Sequence, residues 1–500
     1  MNENAILIPL FVVVPLAGAF LIALLGRRFS FLPDLLGSLV TLVLLGLSLA
    51  AVRVVYFDSM LVYPLGGWKA PIGITLVMDG LTSFMLATTN VVAFSIAIYA
   101  RDYMEGYTSK GMFYSLFLLM LAGMNGVIVA GDIFNLFVFL EIAAVSSYAL
   151  VAFGTERHAL EAAFKYAVMG TMGSLFILLG IVLLYGLTST LNMADMSHML
   201  SFKDDQNLIL MVCVLFLMGF GLKSALVPFH AWLPDAHPSA PAPISAMLSG
   251  ILIKSLGVYA LVRIFFHVIG MTSTLSSILM FLGVLSMMVG VLLAIGQWDL
   301  KRLLAYHSIS QVGYVVFAIG LGTPLGLMAG LFHLFNHSIF KSLLFLNSGA
   351  VEYATGTRDL KKMGGLQKKM PVTSGTCFVA SLSIAGIPPF NGFWSKLIIV
   401  IAAVKAGHPI YAIWAVLASI LTLASFMKVM KYAFLGELRN KWQEVKEVPV
   451  FMQGAMISLA LICMLGGVLI LSGVEDVFLK PAAMTLVEGF NYSGMVFRNQ

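Results

Sequence analysis

Long apolar segments recur along the whole chain and constrain its fold more than any other feature. A helix needs about 20 apolar residues to cross the hydrocarbon core of a bilayer. Of the 500 residues, 60% are hydrophobic and only 10% are charged, against about 25% charged residues in soluble proteins. We therefore expect an all-α, polytopic membrane protein with about fourteen transmembrane helices and no soluble domain. The predicted segments lie at 5–25, 35–56, 79–100, 112–130, 133–153, 164–186, 208–227, 241–266, 275–296, 303–321, 325–349, 373–406, 410–435 and 450–472.

The loops between these segments carry an asymmetric charge. Fifteen Lys and Arg residues fall in loops after odd-numbered segments, whereas loops after even-numbered segments hold only Lys69 and Lys203. Basic residues are enriched in cytoplasmic loops of membrane proteins. We therefore expect a multi-pass protein of the inner (plasma) membrane, with both termini on the outer side. The net charge of +6 comes from such short loops, so we expect no nucleic-acid partner.

The cysteines and most histidines do not form a recognisable metal motif. Cys213, Cys377 and Cys463 lie singly in apolar stretches, unlike the spaced cysteines of zinc or iron–sulfur sites. His230 and His237 have a ligand-type side chain but lie in a Pro-rich stretch. We therefore predict no metal, cofactor or catalytic centre in this chain.

Two of the apolar segments are interrupted by helix breakers close to a charge. The first stretch reads GFGLKSALVPFHAWLPDAHPSAPAP (219–243), and the second reads SIAGIPPFNGFWSK (383–396). Proline lacks an amide donor and crowds the preceding turn. Irregular backbone at membrane depth is tolerated only inside protein or beside a water-filled cavity. Two such interruptions indicate an inverted-repeat transporter with an ion site between the repeats; two ordinary kinked helices are the alternative.

Charged and titratable side chains inside these apolar segments predict an ion pathway. A charge at the centre of a membrane helix costs about 3 kcal/mol on insertion scales, so such residues are usually functional. His333, His337 and Lys341 follow at i, i+4 and i+8, which places them on one helical face. Lys165, His230 and Lys341 are further candidates for a proton inlet or relay. The predicted proton pathway consists of Glu141, Lys223, Lys254, His333, His337 and Lys396.

An ion pair between Glu141 and Lys223 would act as a switch along this pathway. At ~4 Å and an effective dielectric constant of ~20, two opposite charges attract by about 4 kcal/mol. Pairing therefore keeps the proton on the lysine, and separation releases it to a neighbour such as Lys254 or a histidine. Histidine is suited to relay protons because it titrates near neutral pH.

Several motifs together resemble one known family. The stretches DIFNLFVFLEIAAVSSYAL, FHLFNHSIFKSLLFL and the two interrupted segments resemble the antiporter-like membrane subunits of the respiratory complex I superfamily. That superfamily includes the D-type subunit of Mrp cation/proton antiporters and the matching subunits of membrane-bound nickel–iron hydrogenases. The resemblance covers about residues 75–435. It implies one membrane domain (1–500), broken seventh and twelfth helices, and two inverted five-helix repeats at 112–266 and 275–435.

The resemblance also implies roles for individual residues. The twelfth-helix position is lysine in some family members and glutamate in others, and here it is Lys396. The remaining matches are Glu141 to the fifth-helix glutamate, Lys223 and Lys254 to the seventh- and eighth-helix lysines, and His333 and His337 to the eleventh-helix histidines.

The favoured function is that of a proton-translocating subunit in a multisubunit membrane ion pump. The pump would be driven by redox subunits, as in membrane-bound hydrogenase or complex I, or by cation exchange, as in an Mrp-type Na⁺/H⁺ antiporter. Expected partners are other membrane subunits, including antiporter-like ones, the lipid bilayer and, in the redox case, iron–sulfur or nickel–iron subunits. A stand-alone secondary transporter of a small solute is the alternative. The sequence leaves open whether Na⁺ is carried, the direction of transport, and whether the complex is an oxidoreductase.

Overall fold

The protein is represented by a computed structural model that describes residues 3–107, 109–203 and 205–499. The chain is predominantly helical. We label its main helices in chain order: α1 (Asn4–Leu25), α2 (Leu32–Asp58), α3 (Gly80–Gly106), α4 (Lys110–Val129), α5 (Ile133–Gly154), α6 (Arg157–Thr188), α7 (Met193–Leu200), α8 (Gln206–Lys223), α9 (Leu233–Ser239), α10 (Ala242–Ile269), α11 (Ser273–Ile295), α12 (Leu300–Gly320), α13 (Pro324–Thr355), α14 (Pro371–Ala385), α15 (Asn391–Lys405), α16 (Pro409–Phe434), α17 (Val450–Ile470), α18 (Leu479–Val487) and α19 (Tyr492–Arg498).

Among the described residues, twelve helices are long and apolar enough to cross a membrane, namely α1–α6, α8, α10–α12, α16 and α17. The predicted helical, multi-pass fold is therefore confirmed. Two of the fourteen predicted segments fall outside this set. Helix α13 has 32 residues, but its histidines, asparagines and lysine lower its mean hydropathy, and segment 373–406 is divided between the shorter α14 and α15. The count of fourteen crossings and the inverted repeats stay predictions.

Both predicted interruptions are present. Helix α8 ends at Lys223, and the chain resumes helical structure only at α9. Ala225 in this gap has a φ of 56°, in the left-handed region. Helix α14 ends where Gly386 adopts a φ of 77°, a conformation that glycine reaches without steric cost. Pro388 and Pro389 follow before α15 begins, so each interruption separates two half-helices within the bundle.

The most deeply buried helices form the centre of the bundle. In α10 the whole most apolar 18-residue window is buried, and in α12 94% of it is, compared with 33% in α2, α16 and α17. Residues 331–351 of α13 are also continuously buried. The peripheral helices present apolar side chains outward, as expected for contact with lipid. The central helices are surrounded by protein, and they carry most of the titratable residues.

A β-hairpin and the C-terminal helices cover the same end of the bundle. Strands β1 (Leu61–Pro64) and β2 (Thr75–Met78) are antiparallel, with Leu61 opposite Met78. The Arg263 guanidinium at the end of α10 binds the Asp79 carboxylate at the start of α3 through two contacts, of 2.6 and 3.0 Å. Both side chains are buried. This bidentate pair joins α3 to α10 beneath α18 and α19.

Candidate proton pathway

The predicted ion pair at the end of α8 is present. Lys223 Nζ lies 3.6 Å from Glu141 Oε1, which is beyond normal hydrogen-bond length. Ser174 Oγ of α6 donates a hydrogen bond to the same carboxylate oxygen. Lys223 is 5% exposed and Glu141 is 30% exposed. Ser174 of α6 therefore holds the carboxylate in place, and the buried lysine lies beside this carboxylate without a direct hydrogen bond to it.

The Lys254 ammonium group donates its hydrogen bonds to carbonyl groups of its own helix. The residue lies in a π-helical stretch, Leu248–Tyr259, and is fully buried. Its Nζ donates to the carbonyls of Ser249 and Gly250 at 2.6 and 2.7 Å. π-Helical turns free backbone groups from the regular pattern and are frequent at functional sites. In the described part of the chain, no carboxylate forms an ion pair with Lys254.

The two histidines of α13 have different surroundings. His333 Nδ1 lies 2.9 Å from Ser395 Oγ of α15, and its Nε2 lies 3.2 Å from Gln311 Oε1 of α12. The His337 ring centroid is 6.4 Å from that of His333, but neither His337 nitrogen has a hydrogen-bond partner among the described residues. Helix α13 therefore carries one histidine that is fixed between neighbouring helices and one that is not.

Lys341 extends the same face of α13 and is also fully buried. Its Nζ has no hydrogen-bond partner among the described residues and lies 5.7 Å from the centre of the Phe345 ring. A charge on Lys341 would repel a charge on Lys254 or on a protonated His337. Lys341 thus lies among the central titratable groups.

Lys396 lies near the start of α15, just after the second interruption. Its Nζ donates to the Ile384 carbonyl at the end of α14 (2.7 Å) and to Ser419 Oγ of α16 (3.0 Å). The ammonium also lies 4.7 Å from the Tyr314 ring centroid. A helix C-terminus carries a partial negative charge from its free carbonyls. The broken helix therefore supplies the acceptor that this buried lysine needs.

Two of the further candidates lie outside this buried series. Lys165 is half-exposed and pairs with Glu161 at 2.8 Å and with Asp235 at 3.4 Å. His230 is half-buried in the first interruption, and its Nδ1 has no hydrogen-bond partner among the described residues. The pairing of Lys165 with Asp235 joins α6 to α9, and His230 lies three residues before α9 begins.

The structure adds buried titratable residues that were not predicted as part of the pathway. His237 of α9 is fully buried, and neither ring nitrogen has a hydrogen-bond partner in the described chain. Lys301 is also buried, at 2.8 Å from Glu352 Oε2 and 3.1 Å from the Ala240 carbonyl. His307 bonds to Ser425 Oγ at 2.8 Å. His307 lies in apolar segment 303–321, so the criterion that selected Lys254 could have selected it.

Comparison with known proteins identifies relatives over most of the chain. The model of the family described as "NADH:quinone oxidoreductase/Mrp antiporter, TM" matches residues 130–422. A second model, "NADH-Ubiquinone oxidoreductase (complex I), chain 5 N-terminus", matches residues 66–114. The D-type subunit of the Na(+)/H(+) antiporter from Alkalihalophilus pseudofirmus is 38% identical over 443 residues, 88% of each chain. The N-type subunit of NADH-quinone oxidoreductase from Desulforudis audaxviator is 39% identical over 381 residues, 75% of this chain and 76% of that one.

A solved structure shows the same fold. One chain in the structure of the Mrp complex from Dietzia sp. DQ12-45-1b superposes with a TM-score of 0.91 and 29% sequence identity. The match covers 99% of this chain and all of that one. The similarity therefore includes the peripheral helices and the C-terminal helices as well as the buried centre.

Proposed function

Because the chain belongs to the NADH:quinone oxidoreductase/Mrp antiporter transmembrane family, it is an antiporter-like membrane subunit, and we propose that it moves protons along its buried lysines and histidines. The observation that carries the proposal is the succession of titratable groups between the two interruptions. This succession starts at the Glu141–Lys223 pair, passes Lys254 and the α13 histidines, and ends at Lys396. Burying so many titratable groups is costly, and a static bundle would gain nothing from them.

The geometry supports proton transfer by exchange of partners. Lys223 is attracted to Glu141 without a direct hydrogen bond, and at an effective dielectric constant of ~20 a movement of about 1 Å by the last turn of α8 changes this attraction by about 1 kcal/mol. Lys254 and Lys341 repel each other when both are charged. His337 is not fixed by the protein, and His333 contacts Ser395, the neighbour of Lys396 in sequence. A proton arriving near Lys254 would therefore have acceptors leading toward α15.

The two inverted repeats are part of the proposal. The first would comprise 112–266 and the second 275–435. In support, each range contains one interruption with a buried lysine beside it, Lys223 at the end of α8 and Lys396 near the start of α15. The opposite placement of the lysine relative to the break is what inversion of a repeat produces.

The orientation and the driving force also belong to the proposal. The loop charges favour a cell-membrane protein with both termini outside, and outside labelling of a cysteine introduced at the exposed Lys203 tests this. The energy needed to move one charge against 100 mV is about 2.3 kcal/mol. We propose that other membrane subunits deliver it, either from a redox reaction or from a cation gradient.

The test of proton translocation is the substitution Lys223→Ala in the intact complex. We expect proton transport in inside-out vesicles, followed by a pH-sensitive dye, to fall at least tenfold while the amount of assembled complex is unchanged. Lys405→Ala is the control, because Lys405 is an exposed lysine at the end of α15, outside the buried series. Transport at the original rate in Lys223→Ala would show that the buried series does not carry the protons.

A further inference from the structure

We propose that Trp232 is a positioning residue that fixes the last turn of α8 and thereby sets the distance between Lys223 and Glu141. This inference rests on the proposed function, because it assigns Trp232 a part in the same proton transfer. Trp232 lies in the first interruption, directly before α9, and is 2% exposed. It does not titrate and does not contact the transferred proton.

The indole N–H acts on the backbone next to Lys223. Trp232 Nε1 donates to the Leu222 carbonyl at 3.0 Å, and that carbonyl belongs to the peptide bond that joins Leu222 to Lys223. The last carbonyls of a helix have no regular intrahelical partners. The Ala225 amide also reaches the Leu222 carbonyl, at 3.2 Å. A side chain ten residues further along the chain therefore returns to cap the helix end that carries the lysine.

The indole ring is fixed against the helices that hold Glu141. It stacks on Tyr166 of α6, with ring centroids 4.2 Å apart and an interplanar angle of 9°. The Tyr166 hydroxyl lies 2.9 Å from Ser147 Oγ of α5. Tyr148 of α5 packs edge-on against Tyr166 at 4.6 Å. The ring thus takes its position from both α5 and α6.

The same two helices define the position of the carboxylate. Glu141 lies on α5, six residues before Ser147, and Ser174 on α6 donates to its carboxylate. Trp232 therefore links the end of α8, which carries Lys223, to α5 and α6, which position Glu141. Among the described residues, the lysine ammonium has no hydrogen bond of its own to these two helices. Without the indole N–H, the 3.6 Å separation would depend mainly on packing.

A purely structural role for Trp232 makes a different prediction. If the ring only fills space, phenylalanine should serve nearly as well, because it retains an aromatic face for Tyr166. The N–H bond is the part that phenylalanine lacks. The titratable groups on the elements around Trp232 are Glu141 and Tyr148 on α5, Arg157, His158, Glu161, Lys165, Tyr166 and Tyr185 on α6, Cys213 and Lys223 on α8, His230 in the interruption, and Asp235 and His237 on α9.

The experiment compares Trp232→Phe with Trp414→Phe in the intact complex. Trp414 is a suitable control because it is 40% exposed on α16, far along the chain from α8. Proton transport per assembled complex is measured in vesicles across a range of pH. Loss of one hydrogen bond corresponds to about a three- to tenfold effect, so we expect a decrease of that size for Trp232→Phe. We also expect its pH profile to move toward lower pH by about half a unit or more, since the ammonium form loses part of its attraction to Glu141.

Two outcomes overturn the inference. One is a wild-type rate and pH profile per assembled complex in Trp232→Phe, and the other is an equal change in Trp414→Phe. If Trp232→Phe does not assemble, replacement of Trp232 by benzothienylalanine keeps the ring size and removes only the N–H, and the same two outcomes apply to it. Lys223→Ala is measured in parallel. An inactive Lys223→Ala beside an unaltered Trp232→Phe would reject the role of Trp232 alone, whereas an active Lys223→Ala would reject the proposed function.

Discussion

Each buried lysine of the central series has a different electrostatic environment. Lys223 has a carboxylate nearby, Lys254 has two carbonyls of its own helix, and Lys396 has the carbonyl end of a half-helix. Lys341 has no hydrogen-bond acceptor in the described residues. Because a buried ammonium is stabilised only by such partners, these sites hold a proton with unequal strength.

The histidines of α13 show a similar division between fixed and free groups. His333 is held by Ser395 and Gln311, whereas His337 makes ring contacts with His333 and Phe340 and no hydrogen bond within the described chain. A fixed imidazole can pass a proton along defined hydrogen bonds. A free one can reorient between neighbours. The contact to Ser395 reaches α15 directly, so it links the α13 series to the residue next to Lys396.

At the scale of elements, the second interruption depends on close contact between two half-helices. A Cβ atom added at Gly392, in the first turn of α15, would overlap the Ser383 carbonyl oxygen of α14. Because the Cβ atom and the carbonyl oxygen cannot occupy the same space, the two half-helices would have to separate. Because the Lys396 ammonium of α15 binds the Ile384 carbonyl of α14, such a separation would also displace the lysine.

We therefore expect Gly392→Ala to lower both stability and transport. Overpacking in a tight interior typically costs about 1–3 kcal/mol, which thermal unfolding of the purified complex would detect. Gly375→Ala is the matched control, because Gly375 lies on α14 with no atom near its Cβ position. In that variant alanine should keep or slightly raise stability, since glycine is the weaker helix former. Equal stability of the two variants would contradict the close contact at Gly392.

At the scale of the whole molecule, the amino-acid sequence predicts the features that depend on local composition. Apolar length predicted the membrane helices, and proline and glycine predicted both interruptions. The ion pair of Glu141 and Lys223 was also predicted, since each is a charge inside an apolar segment. Lys301 was instead counted among the loop charges. Its burial depends on Glu352 and on the Ala240 carbonyl, which are 51 and 61 residues away along the chain, and no local pattern contains that information.

For His237 and Lys165, too, the local sequence does not predict whether the side chain is buried. His237 is more buried than its surroundings in sequence suggest, and Lys165 is more exposed. His237 lies in a Pro-rich stretch that reads as irregular, yet it is fully buried against the Phe345 ring of α13. Lys165 lies at the start of an apolar helix but is half-exposed among Glu161 and Asp235. Burial of a single side chain depends on which helices pack beside it. The tertiary arrangement therefore had to be known before His237 could be recognised as buried and Lys165 as half-exposed.

One face of α5 combines exposed apolar residues with a partly exposed carboxylate. Phe134, Val138 and Val145 on this face are 40–60% exposed, and Glu141 lies between them with 30% of its side chain exposed. The three apolar residues could face lipid, but a carboxylate at that depth is costly in hydrocarbon. A neighbouring membrane subunit that covers this face would remove Glu141 from lipid and would place its own groups beside the Glu141–Lys223 pair.

We expect gentle native purification to recover this chain with other membrane subunits. Mass spectrometry of the co-eluting proteins distinguishes the proposed driving forces: iron–sulfur or nickel–iron subunits indicate redox-driven pumping, and small membrane subunits without redox proteins indicate cation/proton exchange. If a membrane subunit covers this face of α5, Val145→Trp should weaken its co-elution, because a large ring is tolerated in lipid but not in a packed interface. Val13→Trp is the control, at a similarly exposed valine on α1. Recovery of the chain alone in a form that transports a solute would instead support a stand-alone transporter. It would also contradict the prediction that another subunit covers this face of α5.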